Sequence, residues 1–317
     1  PAPAPRQQRL GQRPPEQVSN GWSVDEIEAG DLPALMSEIE ALEARALEAN
    51  AYASATFLAA ALRHFPAGAA PRLVTVWRHP GQGTPRRLAG LFPLSRQAGW
   101  GAGKLLNGWS HPFTACGVPL VDRDHAVETI KAALTALSRR FDGLKALSLR
   151  EVTWNGPFAA ALRQAAADLD LPLDLLAESR RAALVAPAKA THAPAQRRNK
   201  ERRRLQRRLA ERGALGFSVI EDYNGFRAAL ETFLSLEARG WKGRNGTALV
   251  QAPAHANFTR AMLWSAARAG KARIVLLELD GATIAAGILL TEGAHGFFWK
   301  IAYAESHAAF SPGALLA

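Results

Sequence analysis

The stretch IVLLELDGATIAAGILL (274–290), with GFFWKIAY (296–303) close behind it, decides the fold. Two apolar runs are joined by Asp280-Gly281 alone. Such a two-residue connection is a strong β-hairpin signal, because both turn positions require positive φ. GFFWKIAY adds another strand, and FSVIED (217–222) reads as an earlier one. Between them the period changes. Phe226, Leu230, Phe233 and Leu234 recur at helical spacing behind Asn224, the expected cap, and Phe258, Met262 and Ala266 mark a second helix. Ser311-Pro312-Gly313 opens a third. The order expected for this half is strand, helix, helix, hairpin, strand, helix.

Working outward, the first half repeats that order. WSVDEIEA, from Trp22, reads as a strand. Asp31 caps a helix marked by Leu32, Leu35, Met36, Ile39 and Leu42, and a second helix spans 54–65 and stops at Pro66. LVTVW (73–77) and RLAGLFPL (87–94) form a strand pair. A strand near 105–109, a resumed apolar pattern at PLVD (119–122), a helix over 124–141, the strand LKALSLREV, a helix near 157–169 and a strand pair around 173–186 complete the half. Neither half shows the regular βα alternation of a doubly wound sheet or a closed α/β barrel. The expected class is α/β with mixed (α+β), largely antiparallel sheets in two tandem lobes. Residues 1–20, rich in Pro, Gln and Arg, read as a disordered arm. The first lobe spans 21–190, and a basic helix with the second lobe spans 191–317.

Composition narrows the functional classes. Cys116 is the single cysteine of 317 residues, which excludes an internal disulfide and a thiolate metal cluster. It reads as a small buried residue. No run is long and apolar enough to span a membrane, and no signal segment is visible, so a soluble, cytoplasmic protein is expected. The formal charge of +11 is concentrated. Nine Arg and Lys between Arg197 and Arg212 stand against Glu201 and Glu211, so this one segment carries +7. Leu205 and Leu209, four apart, would pin it as a helix with arginines around the rest. A solvated helix, an anionic-donor or tRNA contact, and a membrane or nucleic-acid patch all fit that pattern.

Several motifs carry a resemblance. RRNKERRRLQRRLAERG, then LSLEARGWKGRNGTAL, then FFWKIAYAESHAAFSPGALL, with WSHPFTACGVPLVDRD in the first half, resemble the CelD/FemAB-like branch of the GNAT superfamily of acyltransferases. The resemblance covers about residues 50–317. It implies two tandem GNAT-like lobes and transfer of an acyl group from a thioester or related donor to an amine. CelD-type relatives are associated with polysaccharide biosynthesis, and FemAB-type relatives use aminoacyl-tRNA. A complete GNAT lobe has further strands after the helix that Ser311 begins. The chain is therefore expected to be C-terminally truncated, with its second lobe incomplete.

The residues fit this chemistry as follows. Ser311 suits a cap and Pro312 a first helical position, leaving the N–H groups of Gly313 and Ala314 for a pyrophosphate. By the resemblance this turn binds coenzyme A. Lys300 is the lone charge in an aromatic strand. Strict alternation places it with Phe298 and Ala302, opposite Phe297, Trp299 and Ile301. Its ammonium can neutralise a donor phosphate or the oxyanion of acyl transfer. Tyr303, on the other face, can donate a hydroxyl proton or fill the core. Glu237, four residues before Trp241, can accept the amine proton. Trp241 and Lys242 follow it as substrate-binding candidates, although Gly240 and Gly243 equally mark a plain helix stop. His111, among Trp109 and Phe113, has a reference pKa suited to an acceptor site.

Three functions follow. One is an N-acyltransferase moving an acyl group from acyl-CoA (acetyl-CoA) to a small-molecule or glycan-linked amine by direct attack, with no metal. Another is a FemAB-like transferase taking its donor from aminoacyl-tRNA held by 197–212. The last is a non-catalytic binding or regulatory protein on a GNAT-like scaffold.

Overall fold

The computed structural model describes residues 16–19, 21–65, 71–81, 83–96, 105–140, 144–183 and 193–316. The chain divides into two compact units, Pro1–Leu173 and Asp174–Ala317. The sequence boundary at 190 lies outside the described residues.

Unit 1 opens with β1 (Glu16–Ser19) and β2 (Trp22–Glu28), followed by α1 (Met36–Glu43), α2 (Ala55–His64), β3 (Arg72–Arg78) and β4 (Arg87–Arg96). It continues with β5 (Leu105–Gly108), β6 (Leu120–Val121), α3 (Ala126–Arg140), β7 (Ala146–Ser148) and α4 (Pro157–Asp168). Among the described residues these strands form one sheet in the order β1-β2-β3-β4-β5-β7, with β6 on β4. Every pair is antiparallel except β5 with β7, which lie parallel on either side of the α3 crossover. The sheet is therefore mixed, as expected.

Both faces of the sheet are covered, so its central strands are buried continuously rather than at alternate residues. Val74 and Val76 pack with Phe92, Ile130 of α3 and Phe158 of α4. Leu73 and Trp77, on the opposite face, pack with Ile39 of α1 and Leu58 of α2. The buried Trp77 indole donates to Thr75 Oγ1 at 3.0 Å, which satisfies both polar atoms where water is absent.

Two expectations for this unit change. Residues 16–19, read from composition as part of a disordered arm, are a strand on β2. Val18 packs against the core, and Glu16 bonds the nearly buried Arg140 at 2.9 Å. Residues 1–15 and 20 of that arm lie outside the described residues. The strand pair around 173–186 is not found in its described part. Residues 171–183 have no regular structure and are exposed throughout. Leu171, Leu173 and Leu175 alternate as in a strand, but this periodicity is not matched by a sheet partner among the described residues.

Unit 2 runs α5 (Ala193–Ala210), β8 (Leu215–Ile220), α6 (Tyr223–Arg239), α7 (Trp241–Arg244), α8 (Pro253–Arg268), β9 (Ala272–Leu279), β10 (Ala282–Glu292), β11 (His295–Tyr303) and α9 (Pro312–Leu316). Its sheet has the order β11-β10-β9-β8, antiparallel throughout. The hairpin has the backbone its sequence requires, with φ of 51° at Asp280 and 78° at Gly281. Asp280 also accepts the Ala214 N–H at 2.7 Å, tying the turn to the entry of β8. Asp222, not Asn224, caps α6. Its Oδ1 accepts the Gly225 N–H at 2.7 Å, and Asn224 already lies inside the first turn.

On one face α6 and α8 bury Phe226, Phe233 and Phe258 completely, each worth roughly 1.5–3 kcal/mol of burial. On the other, Leu209 of α5 joins Leu277, Ile284, Phe310 and Leu316. With the short elements α7 and β6 set aside, the order β8-α6-α8-β9-β10-β11-α9 repeats β2-α1-α2-β3-β4-β5-α3.

Candidate functional site

The site of unit 2 depends on an irregularity in β11. Ile288 pairs with Lys300, but the next residue, Leu289, pairs with Phe298, so Trp299 is an extra residue opposite no partner. Such a bulge breaks the two-residue alternation. Paired residues share a face, and Ile288 and Leu289 lie on opposite faces, so Lys300 and Phe298 do too. Phe298 lies over Gly287, beside Leu316 of α9. Strict alternation had grouped Lys300 with Phe298; the bulge separates them and turns Lys300 toward α6. Trp299 meets Phe258 of α8 edge to face, with ring centroids 6.3 Å apart.

On that face the structure gathers Glu237, Lys242 and Lys300. Glu237 is 3% exposed at the end of α6. Its Oε1 accepts from Lys242 Nζ at 2.7 Å, and its Oε2 from the Leu249 N–H at 2.9 Å. Lys242 also donates to the Ile301 carbonyl at 3.1 Å, so the pair ties the end of α6 to β11. Burial lowers the pKa of Lys300, the Lys242 ammonium lowers it further, and Glu237 opposes both. Both Glu237 oxygens are thus engaged in hydrogen bonds.

Trp241 does not share the surroundings of Glu237, as an unbroken helix would have required. Gly240 leaves the helical conformation at φ −88° and ψ −169°, a new short helix begins, and the Trp241 ring is 47% exposed. The neighbouring turn is braced by residues that no sequence signal singled out. Gln251 Nε2 donates to the Gly243 carbonyl at 2.6 Å, and Arg244 pairs with Glu305 at 2.7 Å. The second of these joins residues that the sequence keeps far apart.

Tyr303 pairs with Ala285 and lies on the α9 face, away from Lys300, as expected. Gly313 packs close to Ile301 and Tyr303. Ser311 does not cap α9 in the expected way. It sits in the left-handed region, at φ 49° and ψ 54°, where it ends the preceding 3-10 turn. Its carbonyl accepts the Ala314 N–H at 2.9 Å, so one of the two N–H groups expected to face an anion is already bonded. The sequence-predicted residues of unit 2 therefore form two groups on opposite faces of β11: Glu237, Lys242 and Lys300, and Tyr303 with the Ser311–Ala314 turn.

His111 belongs to unit 1. Its ring stacks between Phe57 and Phe65, at centroid distances of 5.4 and 5.0 Å. Nδ1 accepts the Phe113 N–H at 3.3 Å, which leaves the ring proton on Nε2. Burial lowers its pKa to about 4, so the ring is neutral at pH 7. Cys116, expected to be buried, is only partly buried and packs against the core. Among the described residues no cluster of His, Cys, Asp or Glu is arranged to hold a metal, and no helix is long and apolar enough to cross a membrane.

Comparison with known proteins agrees with this architecture. Residues 196–317 match the family model described as an acetyltransferase (GNAT) domain. No curated protein matches the chain. Among solved structures, FemX superposes with a TM-score of 0.52 at 12% identity, over 88% of this chain and 82% of FemX. The C-terminal domain (DUF2156) of a putative lysylphosphatidylglycerol synthetase from Agrobacterium fabrum superposes with a TM-score of 0.50 at 13% identity, over 90% of this chain and 72% of that one. At these identities the structural likeness concerns fold, whereas the family match is one of sequence. The chain is a mixed α/β protein whose second unit matches a GNAT-type acetyltransferase domain.

Proposed function

We propose that this protein is an N-acyltransferase, with the transfer carried out by unit 2. The observation that carries the reading is the overlap of the family match with the Glu237, Lys242 and Lys300 cluster on β11. In this reading a neutral amine attacks the carbonyl of an acyl thioester and gives up a proton to water. The C–S bond then breaks, and the departing thiolate takes a proton from solvent. The Lys300 ammonium stabilises the oxyanion, which is worth most where burial excludes water. Glu237 and Lys242 hold that strand end in place as positioning residues. The exposed Trp241 ring, beside Lys242, offers a stacking surface to a small-molecule or glycan-linked acceptor.

The donor is assigned to acyl-CoA, with its diphosphate at the β11–α9 junction near Ser311 and Gly313. Ala314 is left out because its N–H is bonded to Ser311. A second reading, with aminoacyl-tRNA as donor, draws on the basic helix α5 and on the fold shared with FemX. His111, stacked and neutral inside unit 1, is assigned to the core rather than to the acceptor.

Thermal-shift titration with acetyl-CoA and longer acyl-CoAs tests the first reading, because a ligand that binds only the folded state raises Tm with the logarithm of its concentration above Kd. A dose-dependent rise, with thiol release on adding amines that disappears in Lys300→Ala, supports it. No response to any acyl-CoA, together with retention of a charged tRNA on a filter, transfers the donor assignment to the second reading.

A further inference from the structure

The helix α5 takes no part in the cluster above, yet it holds most of the chain's net charge. Leu209 is fully buried and Leu205 half-buried, four residues apart, which fixes the inward face of the helix. Arg208 and Arg212 lie over the Phe310 ring at 5.6 and 5.9 Å and anchor the C-terminal turn. Lys200, Arg203, Arg204 and Arg207 then stand at i, i+3, i+4 and i+7, and all four are exposed. That spacing places four cations in one strip on the side away from the leucines. Glu201 bonds Arg204 through both carboxylate oxygens, at 2.6 and 2.9 Å, and so draws this one cation toward the edge of the strip.

A second observation narrows the partner. Four residues after α5, β8 presents Phe217 and Val219, 57% and 46% exposed. Phe217 pairs with Leu277 and Val219 with Val275, and both partners belong to the cluster that receives Leu209. The two exposed side chains therefore rise from the face of the sheet on which α5 lies. A polyphosphate chain would be served by the cations but gains nothing from an exposed valine. A layer of anionic headgroups over hydrocarbon takes up both.

We propose that α5, with Phe217 and Val219, is a docking surface for an anionic lipid membrane. This goes beyond the acyl-transfer reading and does not depend on it. The test is co-sedimentation of the full chain with phosphatidylcholine vesicles and with vesicles containing about one-third phosphatidylglycerol. Binding is expected to the anionic vesicles only. Each cation near such a surface contributes about a fivefold gain in partitioning. The variant R203E/R204E/R207E should therefore lose at least ~100-fold, and sedimentation should fall steeply as salt shortens the Debye length. Phe217→Ser should weaken the salt-resistant part of the binding and leave the salt slope unchanged. Circular dichroism of both variants must match the parent, since the altered residues are exposed. Equal sedimentation with neutral and anionic vesicles, or an unchanged affinity in the triple variant, overturns the proposal. So does the absence of vesicle binding in a protein that retains a mixed-sequence RNA through the same three arginines. Acyl-CoA thermal shifts in the triple variant read the transfer site separately.

Discussion

Lys242 Nζ stands 2.7 Å from Glu237 Oε1, and this ion pair is the fastening between the end of α6 and strand β11. The Glu237 side chain is 1% exposed and that of Lys242 21%, so the pair lies mostly out of water. There the loss of one partner costs more than the pair itself contributes, because the other charge is left stranded.

Glu237→Ala is therefore expected to destabilise the protein by about 3 kcal/mol, read as a lower urea midpoint at constant m value. Glu237→Gln keeps an oxygen for the Leu249 N–H and should recover part of that loss. If the alanine variant matches the parent to within measurement error, the fastening role is wrong.

The surroundings of Lys300 make a signed prediction for its proton. Burial is the first cause of its lowered pKa and Lys242 the second, while Glu237 pulls the other way. Lys242→Gln should raise the Lys300 pKa, and Glu237→Gln should lower it. Competitive acetylation across a pH series, read by mass spectrometry of the 296–303 region, reports this without reference to catalysis. Shifts of the same sign in both variants would show that the two charges do not act on Lys300 independently.

His111 sets an acid limit on stability. Its folded pKa of about 4 lies below the ordinary value of 6.5, so between these pH values the unfolded chain binds the proton and the folded chain does not. Its contribution is complete above pH 6.5 and is lost progressively as pH falls toward 4, in total on the order of 2 kcal/mol for this half-buried ring. His64, lowered by burial and by Arg63, acts in the same direction. Urea midpoints at pH 7 and pH 5 should differ in the parent and differ less in His111→Phe, which keeps the stack between Phe57 and Phe65. An unchanged pH slope in that variant would assign the acid sensitivity elsewhere.

Gly243 and Gly246 are close in sequence but should respond differently to alanine. A Cβ at Gly243 runs into the carbonyl of Ala238, a backbone group that cannot swing aside. Gly246 has open space around it and a φ of 74°. Gly243→Ala should cost about 3 kcal/mol, as overpacking against main chain does, and Gly246→Ala about 1 kcal/mol, from backbone conformation alone. Thermal unfolding of the two variants side by side decides whether the α6–α7 junction is rigid.

The hairpin was legible in the sequence because Asp280-Gly281 states its own backbone requirement, and the α6 face because four apolar residues repeat at helical spacing. The cap of α6 was misplaced by two residues, since Asp222 and Asn224 offer the same side-chain chemistry and only the chain path distinguishes them. The strand β1 escaped notice because four residues with a single partly buried valine carry too little pattern to stand out. Among the candidate residues, Lys300 was singled out from its oddity among aromatics, and Glu237 with Lys242 from their motif, and the structure brings these three together. Which face Lys300 occupies was not readable, because a bulge is a feature of pairing and Trp299 looks like any other strand residue. The bracing by Gln251 and Glu305 joins segments through contacts that local pattern does not encode.

The unpaired Trp299 divides β11 into two reading frames. Residues 295–298 present their side chains in one parity and residues 300–303 in the other, although the backbone runs through both without a break. The aromatic half can therefore be altered residue by residue while Lys300 keeps its orientation. Deleting one residue at the junction would restore a regular ladder, but it would force one half to exchange its inward and outward side chains. In this strand length is held more tightly than composition, and the change that makes the sheet most regular is the one that would move the lysine out of its site.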